Sequence, residues 1–207
     1  MSESAIVFDC EFLTAPGAPQ RFWCGPNDPD PVAVQIGAVK LALTRDADAL
    51  ADWEQVILPP TRNGGTAPLQ PFFTKLTGLD EARLARDAVS LADAIDGLDA
   101  FSDGASLWSW GKDEFNLLAI SCYVAGIPPK IAANRFGNAA RLFARAGFAD
   151  ETIHGLRSPG LPAFLGLNAK DLTAHDALGD AKAVALSLQH LIRTGRLDPD
   201  ALRHPAP

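Results

Sequence analysis

The stretch SAIVFDCEF at residues 4–12 decides the fold of this chain. Its apolar run, Ala5–Phe8, is short, uncharged and partly β-branched, which is typical of a strand buried on both faces. Two carboxylates, Asp9 and Glu11, follow the run. Because residues two apart on a strand point to the same face, both side chains project from one place at the carboxyl end of the strand.

The residues that follow predict an α/β domain. Val32–Leu43 is a second apolar run, and Trp53–Leu58 alternates between apolar and polar residues before two prolines. Three successive strands predict an antiparallel meander. Further strands are expected at Ala105–Trp110 and Lys130–Phe136, and helices at Phe72–Gly78, Ala88–Phe101, Asp113–Ala125, Asn138–Gly147, Pro162–Leu167 and Ala177–Thr194.

Two segments lack any regular pattern. Thr14–Pro31 holds five prolines and two glycines, so we expect a long loop, and loops of this length are usually functional or mobile. The tail Arg196–Pro207 is polar and rich in proline, so we expect it to be frayed. We therefore expect a single domain over residues 1–207, with its core at about residues 4–195.

The composition is that of an ordinary globular protein. The 207 residues are 47% hydrophobic with a formal net charge of −7, which argues against a protein that grips nucleic acid by bulk electrostatics. The sequence has no apolar run long enough to span a membrane and no leader-like start, and its three cysteines form no CxxC pair. We therefore expect a cytoplasmic protein without membrane association.

The pair Asp9 and Glu11 is a candidate cation site. Like charges held close together repel, which raises one pKa unless a cation lies between them. Mg²⁺ is the natural cation because it prefers oxygen ligands and is held by a few carboxylates with water and phosphate oxygens. An Asp-x-Glu pair recurs by chance, so this interpretation depends on further residues.

Two further segments carry acidic residues. Asp113 and Glu114 follow the fourth predicted strand, although acidic residues in the first turn of a helix also complement its dipole. His175 precedes the last predicted helix, and Asp180 lies in its first turns beside the apolar stripe. Asp176 between them has a structural role available as the helix N-cap, and a capping or packed histidine is the competing interpretation of His175.

The three acidic segments share one position in the predicted fold, because each lies where a strand ends or a helix begins. Ligands bind at this edge in open α/β sheets. Cleavage of a phosphodiester at a magnesium site needs about four carboxylates to hold two ions roughly 4 Å apart, together with a general base. Histidine titrates near neutrality and suits that second task.

Five segments together resemble the motifs of the DEDDh 3′–5′ exonucleases. FDCEF at residues 8–12 is similar to the first exonuclease motif, LWSWGKDEFNLL at 107–118 to the second, and HDALGDA at 175–181 to the third. QIGAV at 35–39 and FFTKLTGL at 72–79 resemble the second strand of the family and its Leu-Thr-Gly segment. The five segments occur in the order that the family has.

The resemblance implies an RNase H-like fold of the α/β class, with a central mixed five-stranded β-sheet flanked by α-helices. It implies two Mg²⁺ or Mn²⁺ ions, single-stranded nucleic acid as the substrate and release of nucleoside 5′-monophosphates from the 3′ end. Core packing is the competing interpretation of Phe12. The implied roles are metal ligand for Asp9, Glu11 and Asp180, general base for His175, and contact with the terminal base for Phe12, Leu13 and Thr14.

The second motif departs from the family pattern. The family has an aspartate there, with apolar residues one and four positions later; by this spacing Glu114 matches, whereas by residue type Asp113 matches. Glutamate is one methylene longer and would shift the carboxylate by about 1.5 Å. A misplacement of about 1 Å can cost around 100-fold in rate. The chemistry slightly favours Asp113 as the metal ligand, and Glu114 stays as the alternative.

Other functions stay open at this point. A catalytically weakened module that binds nucleic acid or protein would keep the fold without turnover, and a phosphohydrolase of small nucleotides would fit the acidic composition. RNA and DNA are not distinguished, because that choice depends on contacts to the 2′-hydroxyl. A homodimer also stays open. We expect the loop Thr14–Pro31, beside the first motif, to cover the 3′ end and restrict the substrate.

Overall fold

A computed structural model describes residues 3–205. The strands are β1 (Ser4–Phe12), β2 (Ala33–Ala42), β3 (Ala49–Val56), β4 (Leu107–Ser109) and β5 (Phe136–Asn138). They form one sheet in the order β3-β2-β1-β4-β5. The pairs β1–β2 and β2–β3 are antiparallel, whereas β1–β4 and β4–β5 are parallel. The sheet is therefore mixed, and the predicted antiparallel meander is confirmed.

Helices cover both faces of this sheet. They are α1 (Pro71–Thr77), α2 (Glu81–Asp87), α3 (Leu91–Ser102), α4 (Asp113–Ala125), α5 (Ala139–Arg145), α6 (Asp150–His154), α7 (Leu161–Phe164) and α8 (Ala177–Arg193). One face carries α5 and α8 and the other carries α3 and α4. Over residues 3–205, no helix has both the length and the apolar character needed to span a bilayer.

The central strand β1 shows how its sequence decides the architecture. Ala5 and Val7 point to the face that carries α8, whereas Ile6 and Phe8 point to the face that carries α3 and α4. All four side chains are fully buried, as expected for a strand covered on both faces. The chain therefore has the expected α/β architecture, a mixed five-stranded sheet flanked by helices.

The two edge strands lie away from their predicted positions. β3 begins at Ala49 rather than at Trp53, because its first four residues are exposed at the sheet edge and show no apolar alternation. The fifth strand, predicted at Lys130–Phe136, is β5 at Phe136–Asn138. Ala133–Arg135 instead forms a 3₁₀ turn, and the guanidinium of Arg135 donates to the backbone oxygen of Ala105 at 2.9 and 3.1 Å.

The tail also differs from its prediction, because residues 196–205 are packed rather than frayed. Pro199–Leu202 forms a 3₁₀ turn, and the Leu197 and Leu202 side chains are buried. The backbone oxygen of Leu202 accepts hydrogen bonds from the indole of Trp108, at 2.9 Å, and from the hydroxyl of Ser106. The core thus extends past residue 195. Residues 206 and 207 lie outside the described part of the chain.

Candidate active site

Asp9 and Glu11 lie on β1, two and four residues after Val7. Their side chains therefore point to the same face of the sheet as that of Val7. This is the face that carries α8. Both carboxylates are buried, with 6% and 9% of their surface exposed. In the register with β2, Asp9 is opposite Gly37 and Glu11 is opposite Gln35. Two acidic side chains therefore enter a largely buried space between the sheet and a helix.

Gly37 lets the first turn of α8 approach the sheet beside Asp9. A Cβ atom at this position would lie 2.2 Å from the amide nitrogen of Leu178 and 2.4 Å from the carbonyl carbon of Ala177. Because both are backbone atoms packed in the helix, they cannot move aside as a flexible side chain could. A side chain at position 37 would therefore push α8 away from the sheet. Asp180 lies in this first turn and is 5% exposed. Its carboxylate thus reaches the same space as Asp9 and Glu11.

Gln35 fixes the start of α8 against the sheet. The side-chain amide, on a fully buried residue, donates to Asp176 Oδ1 at 2.9 Å and accepts from the backbone amide of Ala177 at 3.1 Å. It also donates to Glu54 Oε1 at 2.7 Å. Asp176 is the N-cap of α8 and accepts from the amide of Gly179 at 2.9 Å, which is the structural role available to it. Sequence reasoning assigned no role to Gln35, although a glutamine inside an apolar strand was the available signal.

His175 lies at the mouth of the acidic space. Its backbone amide donates to Asp180 Oδ2 at 3.2 Å, and its φ of 59° is in the left-handed region. A ring nitrogen of this exposed histidine and carboxylate oxygens of Glu11 and Asp180 all lie within 4.8 Å of one another. Left-handed backbone at a residue other than glycine is strained and is common at functional sites. At His175 this backbone conformation occurs together with a ring nitrogen that lies beside the carboxylates.

Glu114, and not Asp113, joins the carboxylates of β1 and α8. The charge of Glu114 raises the pKa of both Asp9 and Glu11, and Glu114 Oε2 is buried without a hydrogen-bond partner. Asp113 is exposed. The reason is the start of α4, which begins at Asp113 and turns its first residue outward and its second inward. The structure therefore places Glu114, rather than Asp113, beside the carboxylates of β1 and α8.

Burial and mutual repulsion dominate the electrostatics of this cluster. Burial is the largest cause that raises the pKa of Glu11 to about 8, of Glu114 to about 7 and of Asp180 to about 6. Asp9, buried among three other carboxylates, has a pKa well above its ordinary value for the same reasons. The shifts mean that the four groups resist ionising together unless positive charge is supplied.

The four carboxylates fit a divalent cation. Asp180 Oδ1 and Glu114 Oε2 are buried without a hydrogen-bond partner, and such groups are rare in folded proteins unless a ligand or ion satisfies them. Carboxylate oxygens are the donors that Mg²⁺ and Mn²⁺ prefer. Asp9 and Glu11 supply further oxygens on the same face of β1. The donor set therefore suits hard divalent ions.

The three residues after Glu11 have different surroundings. Phe12 is half-buried and packs against the α3–α4 side of the core, so part of its ring remains accessible. Leu13, 1% exposed, packs in a third small core beneath α1 and α2. Thr14 is 6% exposed. Of the three side chains that the family resemblance associates with the terminal base, Phe12 offers the most surface.

Several solved structures share this fold, whereas no protein-family model and no curated protein matches the sequence. A full-length 3′-exonuclease has a TM-score of 0.73 at 18% identity, over 94% of this chain and 62% of that one. A 3′-exonuclease that recognises the 3′ end of a histone mRNA stem-loop has a TM-score of 0.71 at 18% identity, over 94% and 65%. E. coli exonuclease I with a dT13 oligonucleotide has a TM-score of 0.63 at 15% identity, over 94% and 42%.

These similarities define the class of the fold. The chain has the RNase H-like fold that the motif resemblance implied, and it shares this fold with these 3′-exonuclease and exonuclease I structures. It spans less than two thirds of the length of each of these three structures.

Proposed function

We propose that this chain is a metal-dependent 3′–5′ exonuclease that acts on single-stranded nucleic acid. One observation carries the proposal: four carboxylates from β1, α4 and α8 converge beside an exposed histidine, and two of their buried oxygens lack hydrogen-bond partners. Burying several acids together destabilises a metal-free protein. Such clusters are found mainly at functional sites. The fold, shared with 3′-exonucleases of low sequence identity, supports the same conclusion.

Asp9, Glu11, Glu114 and Asp180 would hold two Mg²⁺ or Mn²⁺ ions. When bound, such ions supply Lewis-acid chemistry, neutralising charge on the scissile phosphate and lowering the pKa of water. The chain itself contributes the rigid placement of the ligands. Asp9 and Glu11 are fixed by the central strand of the sheet, and Asp180 is fixed by the contact of α8 with Gly37.

His175 would act as the general base that accepts a proton from the attacking water. Its imidazole is solvent-accessible, so it can pass the proton to bulk water after the reaction. The hydrogen bond from its backbone amide to Asp180 keeps the ring at the mouth of the site.

The products would be nucleoside 5′-monophosphates released one at a time from the 3′ end. Phe12, beside Glu11, would contact the terminal base. One 3′-exonuclease with this fold recognises an mRNA 3′ end, and exonuclease I was crystallised with DNA, so both sugars belong in the test.

A time course on 5′-labelled single strands of RNA and DNA of equal sequence tests the proposal, with Mg²⁺, Mn²⁺ or EDTA present. We expect a metal-dependent ladder that shortens from the 3′ end and is lost in His175→Ala. His190→Ala, near the C-terminal end of α8, is the matched control and should retain cleavage. No cleavage of either strand with any metal would contradict the proposal.

A catalytically weakened binding module is the second candidate, and the glutamate at position 114 is the observation that favours it. Its carboxylate is carried on a side chain one methylene longer than that of aspartate, and ligand placement affects the rate steeply. Asp9→Ala separates the two functions. An exonuclease would lose metal-dependent cleavage in this variant, whereas a binding module would keep its affinity for an oligonucleotide.

A further inference from the structure

The proline-rich loop at residues 14–31 both leaves and re-enters the fold at the acidic edge of the sheet. At its base, the amide of Leu13 donates to the backbone oxygen of Val32 at 2.9 Å. The next residue, Ala33, donates its amide to the hydroxyl of Ser121 at 2.9 Å, which ties the base to α4. Since Leu13 is two residues beyond Glu11 on the chain, the Cα atom at the base of the loop lies within about 7 Å of the Cα atom of Glu11.

Hydrogen bonds within the loop make it rigid. The guanidinium of Arg21 donates to both oxygens of Asp28, with an Nε–Oδ2 distance of 2.8 Å, and to the backbone oxygen of Pro16 at 3.0 Å. The amide of Gly25 donates to Asp28 Oδ2 at 2.8 Å, and the Asp28 side chain is only 2% exposed. A bidentate ion pair with a buried carboxylate is a strong geometric constraint. The loop therefore holds a defined shape.

This rigid loop presents one bare aromatic ring. Trp23 is half-buried and donates its indole N–H to the backbone oxygen of Leu13 at 2.9 Å, so it anchors the loop next to the first motif. Its neighbour Phe22 is 83% exposed, the largest fraction among the exposed large hydrophobic residues that the structure describes. Both residues have left-handed backbone, with φ of 56° and 52°. Left-handed backbone is strained at residues other than glycine, so the loop maintains this presentation against strain.

We propose that Phe22 stacks on an unpaired base of the substrate strand, as a specificity-determining residue outside the metal site. The inference rests on the proposed function, because it supplies a single strand at the edge from which the loop emerges. Every nucleobase offers a flat face, and a rigid exposed ring loses little conformational freedom when a base stacks on it. A helical duplex hides its base faces, so a contact of this kind selects unpaired 3′ ends.

A nucleobase suits this ring better than a protein partner does. A stable protein interface buries roughly 800 Å² on each side, and it has a continuous apolar core. The exposed residues that precede Phe22 along the chain, Pro19, Gln20 and Arg21, include an amide and a paired guanidinium and so do not extend its apolar surface. One isolated ring is the size of one base.

Binding of a 5′-fluorescein oligoadenylate, measured by fluorescence anisotropy in Ca²⁺, tests the proposal on the full chain. We expect Phe22→Ala to raise the Kd by about 5- to 150-fold, which corresponds to the loss of one stacked base. Phe22→Trp, which keeps an aromatic ring, should bind with a Kd close to that of the wild type. Steady-state cleavage of the same strand should show a higher KM with little change in kcat. Leu50→Ala is the matched control, because Leu50 is also exposed but lies at the opposite end of the sheet from Glu11.

A strand with single abasic positions separates stacking from other roles of Phe22. At the position where Phe22 stacks, removal of the base should abolish the difference between wild type and Phe22→Ala. An unchanged Kd in Phe22→Ala, or an equal loss on every abasic strand, would overturn the assignment while leaving the exonuclease proposal intact. If the wild type neither binds nor cleaves any oligonucleotide, both proposals fail together.

Discussion

The buried polar groups at the two ends of the central sheet differ in their hydrogen bonding. At the end where β4 begins, the indole of Trp108 donates to Leu202 and Ser106, and Ser106 donates to Leu202. The guanidinium of Arg135 satisfies Ala105 nearby and pairs with Asp99. This end closes the fold with satisfied hydrogen bonds, and its network contributes to stability.

The opposite end, where β1 finishes, collects four carboxylates and leaves two of their oxygens unpaired. Glu114 Oε2 and Asp180 Oδ1 are buried without partners, and burial raises the pKa of all four acids. A fold selected for stability alone would replace such a cluster. The proposed cations would supply the positive charge that this end lacks, and the variants below test that difference between the two ends.

The largest expected effect is that of Asp9→Asn, which removes one of the buried acids of the acidic end. We expect cleavage to fall by at least about 100-fold, because the remaining ligands cannot hold the cations in place. The metal-free protein should become more stable by about 1–2 kcal/mol at neutral pH, since one buried like charge is gone. Cleavage assays and denaturant unfolding in EDTA measure the two effects.

Asp96→Asn is the matched control for that variant. Asp96 is about half exposed and pairs with Lys130 at the surface, so its neutralisation should leave both measurements nearly unchanged. If Asp9→Asn destabilised the metal-free protein, the carboxylate would be a structural group and the contrast between the two ends would disappear.

A second pair of variants separates neighbouring acids on α4. Glu114→Gln should reduce cleavage by about 10- to 100-fold, because it removes a ligand but keeps the shape of the side chain. Asp113→Asn should change cleavage only a few fold, since Asp113 is exposed and lies outside the cluster. Initial rates at saturating Mg²⁺ decide between them. The reverse order would show that α4 begins one residue earlier when substrate is bound.

A substitution at the other end of the sheet, where β4 begins, should lower the stability of the protein and leave its activity unchanged. Trp108→Phe removes the indole donor and leaves the Leu202 oxygen with one partner fewer, so we expect a loss of about 1–2 kcal/mol in the free energy of unfolding. Cleavage per folded molecule should stay the same. A large loss of activity at unchanged stability would mean that this end also takes part in the reaction.

The smallest expected effect concerns pH. Because the pKa of Glu11 rises from 4.5 to about 8 and that of Asp180 from 3.8 to about 6, the folded protein binds more protons than the unfolded chain in this interval. The stability of the metal-free protein should therefore fall as the pH rises from about 4.5 and level off above about 8. The increase in Tm on adding Mg²⁺ should be small near pH 5 and grow toward pH 8. Thermal melts in EDTA and in Mg²⁺ measure it, and a gain independent of pH would contradict the carboxylate site.

The sequence predicted the fold class and the central meander because both depend on local patterns. The apolar run at residues 5–8 is buried on both faces, and two-residue alternation places Asp9 and Glu11 together. The helix from Asp113 to Ala125 has the predicted bounds, since a turn glycine ends it. Long, strongly patterned segments are the ones that sequence defines best.

Three features depended on tertiary contacts that sequence does not display. The tail looked unstructured, yet Leu202 is fully buried against β4. The choice between Asp113 and Glu114 depended on which residue begins α4, a matter of one residue. The role of Gln35 depends on the packing of α8 across β2, which places Asp176 and the backbone amide of Ala177 against the Gln35 side chain.

Titration calorimetry of the metal-free protein with Mn²⁺ at neutral pH tests most directly whether the acidic end is a cation site. We expect saturable binding of two ions in the wild type, loss of that binding in Asp9→Asn, and wild-type binding in Asp96→Asn. The measured heat should include a contribution from proton release, because Glu11 and Glu114 are partly protonated before the ions bind. Absence of binding at millimolar Mn²⁺, or equal binding in Asp9→Asn, would contradict the assignment of these four carboxylates as metal ligands.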